Sequence, residues 1–144
     1  MSDNDRTHIA DAMRWALAAS TDPALASADW IASDINPSCV TAEALLTDPE
    51  IDLIRLRRAK SAFKTMRVLG ETARDRRLGA RLYAASIAAG IVWHQRRVSA
   101  QSDEALRRAF HGLLDDADMP QSLRDLAGRA LCELSQARTM DEAV

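Results

Sequence analysis

LGARLYAASIAAGIVW, residues 78–93, is the stretch on which the fold class turns. At ~100° per residue, Leu78, Leu82, Ala85, Ala89, Val92 and Trp93 fall on one helix face, and Tyr83, Ala84, Ile87 and Ile91 on much of the opposite one. A helix apolar on both faces belongs in an interior, packed on more than one side. Gly79, Ser86 and Gly90, at i, i+7 and i+11, are small enough to let a second helix approach closely. Such an approach would explain why glycine's helix cost, ~1 kcal/mol per residue, is tolerated here. Arg81 and His94 bound the apolar run well short of the ~20 residues that a bilayer crossing needs. No membrane association is expected.

Composition supports the same class. Aromatic residues make up 4 % of the 144, and no run of β-branched residues alternates over a useful length, so strand signals are nearly absent. The expectation is an all-α fold: a compact bundle of six or seven helices around a buried central helical hairpin. One domain over residues 1–144 is expected, with 1–5 and 137–144 as frayed polar tails. The formal net charge of -2 argues against a surface devoted wholly to nucleic acid or anionic membrane, and leaves room for a local basic patch. Cys39 and Cys132 lie far apart and belong to no metal or redox spacing, so both read as reduced thiols. The acidic start MSDNDRTHIADAMRW has neither the basic nor the apolar region of a secretory signal, and a cytoplasmic protein is expected.

Outward from the central stretch, the pattern predicts a first helix over about Asp5 to Ala19, with Ile9, Ala12, Met13, Ala16 and Leu17 inward and Trp15 at the edge. Asp22-Pro23 and Asp48-Pro49 are helix starts, a capping carboxylate followed by proline at the first helical position. The helix after Pro23 should stop before Asn36-Pro37, because the residue preceding proline is pushed out of helical geometry. A turn and a short helix, AEALL, capped by Thr41, would follow. The next helix, Glu50 to Leu69, is expected to end at Gly70, with Thr72 capping the central one. These two would form the antiparallel hairpin. Ser102, followed by Asp103 and Glu104, caps a further helix with Leu106, Ala109, Phe110, Leu113, Leu114 and Ala117 inward. Pro120 opens the last, whose inward residues are Leu123, Leu126, Ala127, Ala130, Leu131 and Leu134.

Chemistry is sparse. GxxxxGK[ST], GxGxxG and GxSxG are absent, and His8, His94 and His111 form none of the helical spacings that bring metal ligands to one face. No cofactor, metal or catalytic residue is expected, and the balance leans away from an enzyme. Asp115, Asp116 and Asp118 point in different directions on a helix and read as a solvated acidic end. A helix-turn-helix over Ala28 to Leu46 would present Glu43 and no lysine or arginine for a nucleic-acid backbone.

The strongest lead is Arg57, Lys60, Lys64 and Arg67, which stack at i, i+3, i+7 and i+10 on one helix face, with Arg74, Arg76 and Arg77 beyond the turn. Such a row can follow a phosphate backbone or an acidic partner surface, or simply be a solvated face. A second lead is a small-molecule pocket, with or without enzyme chemistry, near the central helix at Tyr83, Trp93 and His94. The expected function is a non-enzymatic helical protein that binds a protein partner or a second copy of itself, with nucleic acid as the alternative ligand.

Overall fold

The computed structural model describes residues 3–21, 29–48, 50, 53–94 and 102–143; for 29–35, 56, 94 and 137–143 the backbone alone is described. Six helices account for nearly all of it: α1 Asp3–Ser20, α2 Asp29–Thr47, α3 Leu53–Thr72, α4 Arg76–His94, α5 Asp103–Leu114 and α6 Gln121–Ala143. Helices α1, α2, α3 and α4 pack in a ring, each on the next and α4 back on α1, and the α5–α6 pair covers the α1–α4 side. Helix α4 thus touches α1, α3, α5 and α6, and every residue from Ala84 to Trp93 is buried. An apolar surface all round can be satisfied only by such a position. Helix α3 packs chiefly on α2 and α4, so its remaining side faces outward. The fold is the expected all-α bundle. Among the described residues no helix is long and apolar enough to cross a membrane.

Two boundaries differ from the sequence reading. Helix α2 runs unbroken from Asp29 to Thr47 with Pro37 inside it, so there is no turn at Asn36-Pro37, no separate AEALL helix and no helix-turn-helix. Tertiary anchoring holds the proline turn in place. Cys39, Ala42 and Leu46 are fully buried along one face of α2, and the Ser20 hydroxyl at the end of α1 meets Asn36 Oδ1. Burial of that face, worth ~1.5–3 kcal/mol for a large side chain, outweighs the ~3 kcal/mol that an interior proline costs. The Asp22-Pro23 start lies outside the described residues.

Helix α3 likewise continues through Gly70 to Thr72. Gly70 is a contact point and does not end the helix: a Cβ there would lie 2.7 Å from Tyr83 N and 2.9 Å from Gly79 O. A Cβ on Gly79 would lie 2.7 Å from Gly70 O. Two glycines therefore let the α3 and α4 backbones touch where the hairpin is narrowest. Thr72 turns its hydroxyl back to Val68 O at 3.0 Å, and Asp75 caps α4 instead, its Oδ1 accepting from Arg77 N at 3.0 Å and Leu78 N at 3.1 Å.

The remaining caps behave as read, whereas α5 ends at Leu114, so Ala117, expected on its inward stripe, lies beyond the helix and is exposed. Ser102 Oγ accepts from Ala105 N at 3.3 Å to cap α5, Pro120 O accepts from Leu123 N and Arg124 N to start α6, and Asp48 Oδ1 accepts from Glu50 N ahead of α3. Trp15 is half-buried against the core, as an edge residue should be. Helices α1 and α6 run antiparallel and are joined by polar rungs: Arg129 Nε lies 4.0 Å from buried Asp5, His8 Nε2 3.6 Å from Asp125, and the Ser122 hydroxyl donates to Asp11 at 2.7 Å.

Candidate functional site

Along α3 the buried stripe is Ala59, Ala62, Phe63, Met66 and Leu69. Lys60, Lys64 and Arg67 each follow a stripe residue by one position, and a helix turns ~100° per residue, so the three cations lie along the flank of α3. That flank borders α4, where Ser86, Ile87 and Gly90 at i, i+1 and i+4 form one patch. Small residues on α4 leave a gap. The result is a cleft of about 170 Å³ lined by Lys60, Phe63, Lys64, Arg67, Ser86, Ile87 and Gly90. Its lining joins apolar Phe63, Ile87 and Gly90 to three cations, with no acidic side chain among the described residues.

Carboxylates match several arginines elsewhere in the molecule, although Arg58, Arg74 and Arg76, like the α3 row, have none among the described residues. Arg14 pairs with Asp11 and Glu43, Arg55 with Asp48, Arg81 with Asp116 at 2.5 Å, Arg108 with Glu104 and Arg129 with Glu133. Among the described residues no carboxylate pairs with Arg57, Lys60, Lys64 or Arg67. A wider groove of about 400 Å³ between α1 and α2 differs in this respect, since its Arg14 is ion-paired and its lining includes the carboxylate of Asp3. Neutralised charges need no external partner; the α3 cations still have that capacity.

The other sequence candidates fall elsewhere. Arg74 and Arg76 are exposed around the α3–α4 connection. Arg77 sits 3.8 Å from Asp118, and Arg81 joins the same acidic group. The acidic end of α5 is thus a docking point for α4 arginines. Partial burial alone would raise the Asp116 carboxyl, but hydrogen bonds from Arg81 and from the Asp118 backbone, with the Arg81 and Arg77 charges, hold it below the usual carboxylate range. Tyr83 and Trp93 lie ten residues apart on α4, roughly 15 Å, so they do not line one cavity. Trp93 is 8 % exposed and meets the Phe63 ring edge-on with centroids 4.9 Å apart. The His94 side chain lies outside the described residues. One pocket on α4 is thus at Ser86 and Gly90, between the two proposed aromatic residues, where it shares its walls with the basic row; another of about 260 Å³ lies between α4 and α5 at Ala84 and Leu113.

The exposed large hydrophobic residues among those described are Val40 on α2 and Leu53 and Ile54 at the start of α3, at 48 %, 74 % and 65 % exposure. Leu53 precedes Arg57 by four residues, so it heads the same row as Arg57, Lys60, Lys64 and Arg67. Sequence reasoning missed this. The spacing was visible, but exposure was not. Among the described residues no group of three His, Cys, Asp or Glu is placed to hold a metal ion. No family model, curated protein or solved structure matches the chain.

Proposed function

We propose that this is a non-enzymatic binding protein whose α3 face docks an acidic, partly apolar surface of another protein. The observation that carries the reading is the row Leu53, Arg57, Lys60, Lys64, Arg67: an exposed aliphatic anchor followed by cations that no carboxylate among the described residues neutralises. Protein interfaces combine a desolvated aliphatic or aromatic anchor with charge complementarity that steers the encounter. Exposed Leu53 and Ile54 have no counterpart in a phosphate backbone, which favours protein over nucleic acid. Two copies pairing symmetrically through this face would set cations against cations, so the partner is a different chain. Free thiols at Cys39 and Cys132 fit a reducing, cytoplasmic setting.

The test begins with light scattering on a size-exclusion column at low and high salt, with the absorbance ratio read for carried nucleic acid. An amphipathic helical peptide bearing Leu and Glu on one face is then titrated by fluorescence anisotropy. Binding that weakens with salt, with Lys60→Glu/Lys64→Glu and with Leu53→Ser supports the reading. Nucleic acid that salt strips away, bound equally by the Leu53→Ser protein, overturns it in favour of a nucleic-acid binder.

A further inference from the structure

Within the α3 face the cleft has a chemistry of its own. It is about 170 Å³, close to the ~150 Å³ cavity size that accepts benzene and below the ~300–1,000 Å³ of drug-sized ligand sites. A single ring or a short branched chain fills it. Phe63, Ile87 and Gly90 offer apolar contact, and Lys60, Lys64 and Arg67 line the same cleft. Three cations without a counter-charge repel one another, and a dianion placed among them relieves that repulsion, whereas a monoanion relieves less of it. Arg67 supplies the planar fork that suits phosphate, and it lines the cleft beside the two lysines.

We infer that the cleft between α3 and α4 is a binding site for a small organic phosphate monoester, its phosphate held by Lys60, Lys64 and Arg67 and its apolar body seated on Phe63, Ile87 and Gly90. The site binds and does not hydrolyse. Among the described residues its lining holds no carboxylate or histidine to act as general acid or base, and the Ser86 hydroxyl donates to Tyr83 O at 2.7 Å. The free source of such a group is a small metabolite; the tethered source is a phosphorylated side chain. Both present the same dianion. The inference stands whether or not the α3 face docks a protein.

The test is a titration of the full chain followed by the backbone amide signals of Ser86, Ile87 and Gly90, with phenyl phosphate as probe and inorganic phosphate, benzoate and phenol as comparisons. Phenyl phosphate is expected to give saturable shifts at these amides and to bind more tightly than each of the other three. Lys60→Gln and Lys64→Gln, both exposed and safe for folding, should each weaken it about fivefold, the value of one solvent-screened charge contact. Arg67→Gln should weaken it more. A phosphotyrosine peptide binding more tightly than phenyl phosphate identifies the tethered source, and one binding more weakly identifies the free one. Leu53→Ser leaves phosphate binding unchanged, so loss of protein docking and loss of this site are separable. Absence of saturable shifts, benzoate or inorganic phosphate binding as tightly as phenyl phosphate, or indifference to both lysine substitutions overturns the assignment.

Discussion

Gly70→Ala sets two opposing effects against each other. In an ordinary helix the change stabilises by ~0.5–1 kcal/mol, because alanine has less backbone freedom to lose. Here the new Cβ would sit 2.7 Å from Tyr83 N, 2.9 Å from Gly79 O and 2.9 Å from Tyr83 Cα. All three atoms belong to the α4 backbone, so no side chain can rotate away, and the two helices must separate by roughly 1 Å to restore ordinary contact. Overpacking of this kind costs ~1–3 kcal/mol, and backbone-on-backbone contact belongs at the upper end. The net expectation is a loss of about 2 kcal/mol, or a Tm lower by roughly 4–8 °C in a chain of this size. Gly128→Ala is the matched control, since its Cβ would meet only Leu114 Cδ2 at an ordinary 3.9 Å. It should stabilise by ~0.5–1 kcal/mol. Thermal and urea unfolding followed by circular dichroism measure both. A Gly70→Ala protein as stable as the parent would refute the close approach of α3 and α4.

Three further outcomes follow from the same structure. Pro37→Ala should raise stability by about 1–2 kcal/mol in urea unfolding, since it restores a helical N–H within α2; no gain would mean that the chain turns at Asn36-Pro37 after all. Cys132 is exposed and should react with a thiol reagent in the native protein, whereas burial pushes the Cys39 thiol up to about 11 and should delay its reaction until unfolding. Mass spectrometry of the labelled chain reads both sites, and rapid native labelling of Cys39 would contradict its burial. Asp116 has a lowered native pKa, so its pairing with Arg81 contributes stability above its unfolded value near pH 3.9. That contribution is lost as pH falls through the lower native value. Asp116→Asn should flatten this part of the acid-unfolding profile, and an unchanged profile would remove Asp116 from the acid response.

How much was legible depended on whether the signal was local. The buried faces of α4, the Ser102 cap and the stripe of α6 rest on periodicity and on capping chemistry, both written in adjacent residues. Pro37 and Gly70 carry local signals for stopping a helix, and tertiary contact overrides each of them. Cys39, Ala42 and Leu46 hold α2 through the proline, and the Gly79 backbone supplies the reason for Gly70. For the site, the row of α3 cations could be read from spacing alone. Its cleft could not, because Ser86 and Gly90 reach Lys60 and Arg67 only once the hairpin closes. Nor could the sequence distinguish cations that are matched elsewhere, as Arg77 and Arg81 are by Asp118 and Asp116, from those left without a counter-charge.

The rungs between α1 and α6 also determine when the chain can finish folding. Asp11 and Ser122 are separated by 111 positions, and the partners of Asp5 and His8 come later still, at Arg129 and Asp125. During synthesis the ring of α1 to α4 can begin to collapse as soon as His94 has emerged, but the outer side of α1 then lacks its match and the Asp5 carboxylate stays wet. Only arrival of α6 seals it. Closing so long a loop costs little more than closing one half its length, because the entropy grows as the logarithm of the span. The late step is therefore set by waiting for the last helix to be made, and a nascent chain stalled before Ser122 would expose the flank of α1 that the finished protein hides.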